Sequence, residues 1–214
     1  MRNSDKIDSK ATALIRDRYQ RMSPKYDQMV EGSERRYTAW RKDLWSKVKG
    51  PHILEVGVGT GRNMPYYPAG QQITAIDVTP GMLSQAQKRA ALLELNVDLQ
   101  VGDVQALEFP DNSFDTAVAT FVFCSVPNSV SGLLELKRVV KPRGQILLLE
   151  HTRSPNQLLG VFMDLLNPLS IWFLGDNINR RTVENIEKAG LVIEMITDLG
   201  MGGIFKQIQV SVEK

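Results

Sequence analysis

Short apolar runs alternate with stretches of helical periodicity from residue 50 to the end of the chain. The runs have strand length, and the one at 114–123 is apolar at almost every position, as in a strand covered on both faces. The pattern predicts strands at 52–57, 73–77, 97–101, 114–123, 145–150, 191–197 and 204–212, with helices at 80–95, 132–140 and 181–189. This alternation predicts an α/β fold whose parallel sheet carries helices on both faces.

Helical periodicity also precedes the first predicted strand. Apolar residues recur on one helix face from residue 9 onward, Pro24 interrupts them, and a second helix is predicted at about 34–49. We therefore divide the chain into an N-terminal helical segment, residues 1–49, and a sheet domain, residues 50–214.

The stretch 155–180 departs from the alternation because it packs many apolar residues together. It is too apolar for a solvent loop, and Asp164, Asn167 and Pro168 interrupt it too often for a membrane span. It follows the fifth strand at the carboxyl edge of the sheet, where such folds bind ligands. We predict a lid or wall of an apolar acceptor pocket, which also suits contact with a membrane interface. A helix pair that completes the core, or a dimer contact, would give the same pattern.

Three alternating glycines, Gly57, Gly59 and Gly61, follow the first predicted strand, and Asp77 comes twenty residues after the first of them. Glycines at such a turn let the backbone approach a ligand where a Cβ atom would collide. A carboxylate at the end of the second strand can bind both ribose hydroxyls. The pattern predicts a nucleotide-binding turn, although a glycine turn that only packs a helix onto a sheet would share it.

The glycine spacing distinguishes between nucleotide ligands. A dinucleotide site has its third glycine five positions after the first, whereas here it comes four positions after, and Arg62 holds the fifth. Glu55 precedes the glycines, where an anion would repel a pyrophosphate but suits a cationic amine. We therefore predict S-adenosylmethionine (SAM) rather than NAD, with S-adenosylhomocysteine as the product.

Candidate SAM contacts follow the predicted strands. We expect Glu55 to anchor the amino-acid end indirectly, Asp77 to bind the ribose, and Asp103 to accept from the adenine amino group. Other residues are expected beside the adenine, beneath the methionine moiety, or over the cofactor. The full predicted cofactor set is Tyr19, Glu55, Gly57, Gly59, Gly61, Asp77, Val78, Met82, Asp103, Val104, Thr120 and Phe121.

Composition and charge limit the partners of the chain. The net charge of +2 argues against a dedicated nucleic-acid binder, but residues 1–50 carry 13 Lys or Arg against 7 Asp or Glu. This basic segment suits an anionic membrane surface, and a solvated helix face would look the same. The single cysteine, Cys124, and the lack of an apolar leader or span predict a cytoplasmic location, with peripheral membrane contact left open. No clustered ligand pattern indicates a metal site, and the sequence does not fix the oligomeric state.

Several of these segments together resemble a known family. They are Glu55–Gly61, Asp77, Gly102-Asp103, FPDNSFD at 109–115 and RVVKPRG at 138–144. In order and spacing they are similar to class I SAM-dependent methyltransferases, especially the branch of ubiquinone/menaquinone-biosynthesis methyltransferases and bacterial phosphatidylethanolamine N-methyltransferases. The resemblance implies a Rossmann-like, doubly wound sheet of seven strands with an antiparallel last strand, SAM as cofactor, and a small lipophilic acceptor. It also implies that the N-terminal segment closes over SAM through Tyr19 and Tyr26.

His151, Tyr26, Arg180 and Arg181 are the candidates for handling the acceptor. An imidazole after the fifth strand can accept a proton from an amine or a hydroxyl near neutral pH, or can simply cap the next segment. The ring of Tyr26 suits a cationic acceptor, and the two arginines suit an acceptor phosphate. Helix packing would explain Tyr26 equally well, and a first-turn helix position would explain Arg181.

We therefore predict a SAM-dependent methyltransferase that acts on a small amphipathic or lipid-like acceptor, with a phosphatidylethanolamine-type amine as the first choice. C-methylation of a quinone precursor and S-methylation of a small thiol are the alternatives that keep SAM. A SAM-binding interaction protein without catalysis is the non-enzyme alternative, and the glycine spacing counts against a dehydrogenase.

Overall fold

The computed structural model describes residues 9–173 and 175–213, which form a seven-stranded sheet with helices on both faces. The strands are β1 (His52–Val56), β2 (Gln72–Asp77), β3 (Asp98–Val101), β4 (Phe114–Thr120), β5 (Val140–His151), β6 (Val192–Asp198) and β7 (Phe205–Ser211). The helices are α1 (Ser9–Met22), α2 (Tyr26–Ser46), α3 (Pro80–Leu92), α4 (Ser129–Val139), α5 (Gln157–Phe173) and α6 (Thr182–Lys188), with a short 3-10 helix at Met64–Tyr66. Residues 1–8 of the predicted N-terminal segment and Leu174 of the apolar stretch lie outside the described residues.

The strand order is β3-β2-β1-β4-β5-β7-β6. Neighbouring strands from β3 to β5 are parallel, whereas β7 is antiparallel to both β5 and β6. The prediction of a Rossmann-like, mostly parallel sheet with an antiparallel last strand is therefore confirmed. The chain order changes direction between β1 and β4, which is where open sheets of this kind bind ligands.

Alternate residues of β1 pack against opposite helix layers. Ile53 lies in one cluster with Leu44 and Trp45 of α2, whereas Leu54 lies in another with Leu133 of α4. Each fully buried aliphatic side chain contributes about 1.5–3 kcal/mol, so these two layers fix the sheet between the helices. Because strand side chains alternate, Glu55 shares the face of Ile53 and lies on the side of the sheet that α2 covers.

Several element boundaries differ from the predicted ones, among them the start of β5, which lies at Val140 rather than at 145. β4 ends at Thr120 rather than at 123, because Phe121 has a φ of 56° and turns the chain out of the strand. α2 begins at Tyr26 rather than at 34 and includes Gly32, although a glycine inside a helix costs about 1 kcal/mol relative to alanine. The apolar stretch forms one helix, α5, which continues through Pro168 although a proline inside a helix removes a hydrogen bond and crowds the preceding turn.

α5 lies on the surface with much of its apolar surface exposed. On its inner side Asp164 forms an ion pair with Arg153 at 2.9 Å. Within residues 9–173 and 175–213, no helix combines the length and the apolar character that crossing a bilayer requires.

Candidate functional site

The carboxyl ends of four neighbouring strands meet at one edge of the sheet. Val56 at the end of β1 pairs with Ile76 of β2 and with Ala119 of β4. Asp77 at the end of β2 pairs with Val101 at the end of β3. Residues that follow these strands are therefore neighbours in space although the chain separates them widely.

A cavity of about 470 Å³ opens at this edge, a volume typical of small-molecule sites. Its walls come from the strand ends on one side and from α1 and α2 on the other. Ten residues of the predicted cofactor set line it: Tyr19, Gly57, Gly59, Asp77, Val78, Met82, Asp103, Val104, Thr120 and Phe121. Two residues predicted to handle the acceptor, Tyr26 and His151, also line it.

The three glycines after β1 all have a left-handed backbone, but they differ in their surroundings. A Cβ atom at Gly57 would lie 2.5 Å from Val122, and one at Gly61 would lie 2.7 Å from the sulfur of Met64. A Cβ atom at Gly59 would meet no described atom within 4 Å. Gly59 therefore leaves open space beside the cavity, whereas Gly61 packs against Met64 and is not among the residues that line the cavity.

Two carboxylates face the cavity from the ends of β2 and β3. Asp77 accepts hydrogen bonds from the backbone N–H groups of Gly59 at 2.9 Å and Thr79 at 2.8 Å, and burial raises its pKa. Asp103 accepts a hydrogen bond of 3.4 Å from the hydroxyl of Thr12 on α1. Both acids thus have fixed positions, one beside the glycine turn and the other beneath the N-terminal helix.

Glu55 lies beneath the cavity and connects to it through other side chains. Its carboxylate accepts hydrogen bonds from the side-chain amide of Asn63 at 2.6 Å and from the hydroxyl of Tyr67. The amide oxygen of Asn63 in turn accepts from Arg41 at 2.8 Å, and Arg41 pairs with Glu34 at 2.8 Å. Burial raises the pKa of Glu55 to about 7. Asn63 and Arg41 line the cavity, so they provide the indirect route from Glu55 that the sequence left undefined.

A cluster of charges holds α2 against the glycine turn. Asp27 accepts hydrogen bonds from the hydroxyl of Thr60 at 2.6 Å and from Arg62 at 2.9 Å, and it also pairs with Arg89. Burial alone would raise the pKa of Asp27, but the hydrogen bond from Thr60 and the charges of both arginines lower it below its ordinary value. The carboxylate is therefore charged at neutral pH and anchors α2 at the cavity.

Three reactive side chains converge below the end of β5. The sulfur of Cys124, a ring nitrogen of His151 and a carboxylate oxygen of Asp176 all lie within 4.8 Å of one another. Asp176 accepts hydrogen bonds from the hydroxyl groups of Tyr19, at 2.8 Å, and Ser125. Burial lowers the pKa of His151, and the nearby charge of Asp176 opposes this shift. The imidazole is therefore neutral at pH 7 and can accept a proton.

The structure does not bring Arg180 and Arg181 to the cavity. Arg180 donates to the carbonyl oxygens of Cys124 at 3.1 Å and Val126 at 2.9 Å, which fixes the loop after β4. Arg181 is exposed and pairs with Glu184 at 3.0 Å. Neither arginine is among the described residues that line the cavity, so their expected position beside an acceptor phosphate is corrected.

The predicted lid is also corrected. None of the described residues of α5 lines the cavity, and the stretch 155–180 contributes Asp176 alone to the described lining. Most of the large apolar side chains of α5 point outward, because Gly160, Asp164 and Asn167 occupy much of the inner side beside the buried Met163.

Comparisons with known proteins agree with this geometry. The family model described as "Methyltransferase domain" matches residues 54–148. A thiol S-methyltransferase TMT1B of Rattus norvegicus is 31% identical over 75% of this chain and 68% of its own length.

The chain belongs to the class I SAM-dependent methyltransferases.

Two bacterial relatives of this methyltransferase have different named acceptors. A demethylmenaquinone methyltransferase of Renibacterium salmoninarum is 33% identical over 68% of this chain and 60% of its own length. A phosphatidylethanolamine N-methyltransferase of Cereibacter sphaeroides is 35% identical over 57% of this chain and 59% of its own length. The chain thus spans about three fifths of the length of these two relatives. A SAM-dependent methyltransferase structure from Thermotoga maritima has the same fold, with a TM-score of 0.71 at 19% identity over 91% of this chain and 98% of that one.

The cavity of this methyltransferase fits SAM, the cofactor of its family. The open space beside Gly59 admits a ligand close to the backbone, as a nucleoside at a glycine turn requires. Asp77 and Asp103 offer carboxylates at neighbouring strand ends, where hydroxyl and amino donors of an adenosine need acceptors. The buried acid Glu55, linked through Asn63, suits the cationic amino-acid end.

Gly59→Ala should weaken SAM binding at least about tenfold, because the new methyl group enters the open space beside the turn. Gly70→Ala is the matched control, since Gly70 has a φ of 80° and a Cβ atom there would also meet no described atom within 4 Å. Both changes should cost roughly 1 kcal/mol of folding free energy through backbone strain. Calorimetric titration with SAM and thermal unfolding separate the two effects. Equal SAM affinity in both variants would show that Gly59 does not face the cofactor.

Several site residues were not predicted from the sequence. Asn63 and Arg41 connect Glu55 to the cavity, and Asp176 fixes the region around His151. The signal for Asn63 was its place two residues after the last glycine of the turn, while Arg41 interrupts the apolar side of α2. Asp176 carried no local signal, because it follows a long apolar stretch and meets His151 only in the fold.

Proposed function

We propose that this methyltransferase transfers the methyl group of SAM to a small amphipathic acceptor, with a phosphatidylethanolamine-type amine as the first choice. The observation that carries the proposal is that the half-buried imidazole of His151 lines the same cavity as Asp77 and Asp103. Those two acids lie at β2 and β3, whereas His151 ends β5, three strand spacings or about 14 Å from β2. An adenosine bound at β2 and β3 therefore directs the methionine end toward β4 and His151.

The reaction requires the acceptor to be aligned with the methyl group and to lose a proton, and it requires no covalent intermediate with the protein. When bound, SAM supplies an electrophilic methyl group on its sulfonium and leaves as S-adenosylhomocysteine. Asp77 and Asp103 hold the nucleoside, and Glu55 acts on the amino-acid end through Asn63. His151 accepts the proton that an amine gives up as its nitrogen forms the new bond to carbon.

The N-terminal segment, residues 1–49, acts in this proposal as a cap over the cofactor, and residues 50–214 form the catalytic domain. The support is that Tyr19 and Tyr26 line the cavity, with ring centroids 6.3 Å apart, and that Asp27 anchors α2 to the glycine turn. A cap of this kind excludes water from the reacting groups.

The acceptor class rests on the lining and on the relatives. Apolar side chains from the N-terminal helices, among them Ile15, Met22 and Met29, line the cavity and suit an apolar acceptor. The relatives are named for a quinone, a phospholipid and a thiol. We place the amine first because a base in the cavity serves an acceptor that must lose a proton, and we keep the quinone precursor and the thiol as alternatives. A lipid-like acceptor also fits a cytoplasmic enzyme at the periphery of an anionic membrane.

An acceptor screen with methyl-labelled SAM tests this proposal. Vesicles that contain phosphatidylethanolamine, quinol precursors and alkyl thiols are offered in parallel, and labelled product and S-adenosylhomocysteine are measured together. We expect both to appear in equal amounts with the phospholipid amine. Product with a quinol or a thiol alone would replace the first choice, and SAM binding without any product would favour the interaction protein.

SAM affinity should rise with pH up to about 7 and then level off, because Glu55 is protonated below its raised pKa of about 7. A cationic ligand favours the charged carboxylate, so binding releases a proton in this range. Glu55→Gln should lower the affinity at pH 8 and remove the rise. Glu150→Gln is the control, because burial also raises the pKa of Glu150 to about 7 but its carboxylate binds the backbone of Val122 and Phe123 instead. Calorimetry in two buffers counts the released proton, and a rise that persists in Glu55→Gln would contradict this role.

A further inference from the structure

A surface helix usually turns its large apolar side chains toward the core, whereas α5 turns many of them toward solvent. Large apolar side chains recur on its outer side at spacings of three and four residues, and most are more than half exposed. Leu158 is 85% exposed and Leu165 is 74% exposed. The apolar residues of this outer face are Leu158, Val161, Phe162, Leu165, Leu166, Leu169 and Trp172. We call these residues the α5 outer face; it carries no charged side chain.

The inner side of α5 holds the helix to the protein through the buried side chain of Met163 and through small and polar residues. Gly160 is buried beside Arg153, and Asp164 pairs with that arginine at 2.9 Å. Asn167 donates to Asn177 at 3.4 Å. These contacts fix the orientation of α5. Ion pairing and hydrogen bonding on the inner side of the helix therefore hold its apolar face outward.

Basic residues adjoin the C-terminal end of this face. Arg18 of α1 donates to the carbonyl oxygens of Ile171 at 2.7 Å and Trp172 at 3.3 Å, so α1 meets α5 there. Leu14 and Arg21 lie four residues before and three residues after Arg18, which places them on the same side of α1. Leu14 is 70% exposed, and Arg21 is exposed as well. The apolar face therefore continues onto α1 with arginines beside it.

We propose that the α5 outer face, with Leu14 and Arg21 of α1, docks onto an anionic lipid surface. An apolar helix face enters the boundary between headgroups and acyl chains, while neighbouring basic side chains attract anionic headgroups. A second copy of the chain fits less well. A 17-residue helix is about 25 Å long and about 10 Å wide, so its face covers roughly 250 Å² against the ~800 Å² per partner of a stable interface. Facing arginines from two copies would also repel.

Docking deepens the proposed function, because it names the bilayer as the source of the acceptor. Only this link between docking and the acceptor rests on the proposed function. α1, which carries part of the docking surface, also lines the cavity through Tyr19, and Asp176 lines the cavity three residues after the end of α5. An enzyme seated in this way takes an amphipathic acceptor from the bilayer it rests on.

Vesicle flotation of the full chain tests the proposal, with phosphatidylcholine vesicles and with vesicles that also contain phosphatidylglycerol. The test variant is Phe162→Glu/Leu165→Glu. The matched control is Leu92→Glu/Met195→Glu, which adds the same charge at two exposed apolar residues outside the surface. We expect the unaltered chain and the control to float with the anionic vesicles, and the test variant to bind at least about tenfold more weakly.

SAM titration of the same proteins separates this proposal from the function. Equal SAM affinity in the unaltered chain and the test variant shows that the cavity is intact when docking is lost. If SAM does not bind but flotation follows the expected pattern, the proposed function fails and the docking surface stands. The docking proposal is overturned if the unaltered chain floats with neither vesicle, if both variants bind alike, or if the chain is a dimer in solution that the test variant dissociates.

Discussion

Asp77→Ala should weaken SAM binding by roughly 30- to 1,000-fold. The carboxylate of Asp77 ends β2 beside the glycine turn and lines the cavity, where we propose that it accepts hydrogen bonds from the ribose hydroxyls. Hydrogen bonds to a charged group contribute about 1.5–3 kcal/mol each, and loss of the pair is expected to cost about 2–4 kcal/mol after water replaces part of it. Each 1.4 kcal/mol is a tenfold change in affinity. Isothermal calorimetry with SAM measures the effect.

Asp77 also has a structural role that the experiment must separate. It accepts hydrogen bonds from the backbone of Gly59 and Thr79, so Asp77→Ala should lower the melting temperature of the free protein. Asp77→Asn keeps the shape and one acceptor, and it should retain more of the fold while still losing most of the affinity. Asp111→Ala removes an exposed carboxylate that pairs with Arg138 at the surface and is the neutral control. Unchanged SAM affinity in a folded Asp77 variant would show that Asp77 does not bind the ribose hydroxyls.

His151→Ala should reduce kcat by about 10²- to 10⁴-fold while SAM affinity stays within roughly twofold of the unaltered protein. In the proposed mechanism the neutral imidazole accepts the acceptor's proton, so turnover requires the unprotonated form. Burial lowers the pKa of His151, and activity should therefore be full at pH 7 and fall only below the ordinary histidine pKa of about 6.5. The His151→Ala variant should lack this acid limb. His52→Ala is the matched control, because His52 lies at the opposite end of the sheet and pairs with Asp115 at 3.3 Å.

Asp176 gives a second readout of the same role. Its negative charge raises the pKa of His151 against the effect of burial, so Asp176→Asn should move the acid limb of the kcat profile to lower pH. A variant that only damaged packing would lower kcat without moving the limb. An unshifted limb, or full turnover in His151→Ala, would contradict proton transfer to His151.

The centre of the sheet could be predicted from the sequence because β1, β4 and β5 are buried along most of their length and read as apolar runs. The boundaries of strands and helices were less predictable, since backbone geometry and helix propensity act there without a change in the hydrophobic pattern. Phe121 ends β4 with a positive φ, and an aromatic residue in the sequence does not indicate such a backbone conformation. α2 extends through Gly32, a residue of low helix propensity that the predicted start at 34 left outside the helix.

The cofactor side of the site was predictable for a related reason. Gly59, Asp77 and Asp103 follow strands directly, so their places in the sequence determine their places at the sheet edge. The acceptor side was not, because it is assembled from segments whose meeting depends on packing. Asp176 reaches His151 across the apolar stretch, and Arg180 turns to the carbonyl oxygens of the loop after β4 instead of the cavity. The outward orientation of the apolar face of α5 could not be predicted, because apolar residues on a helix ordinarily indicate burial.

Calorimetric titration of SAM into the unaltered chain tests the central claim most directly. We predict uptake of one SAM per chain, displaced by S-adenosylhomocysteine and not by NAD. A titration with no uptake of SAM, or one in which NAD displaces it equally well, would contradict the account.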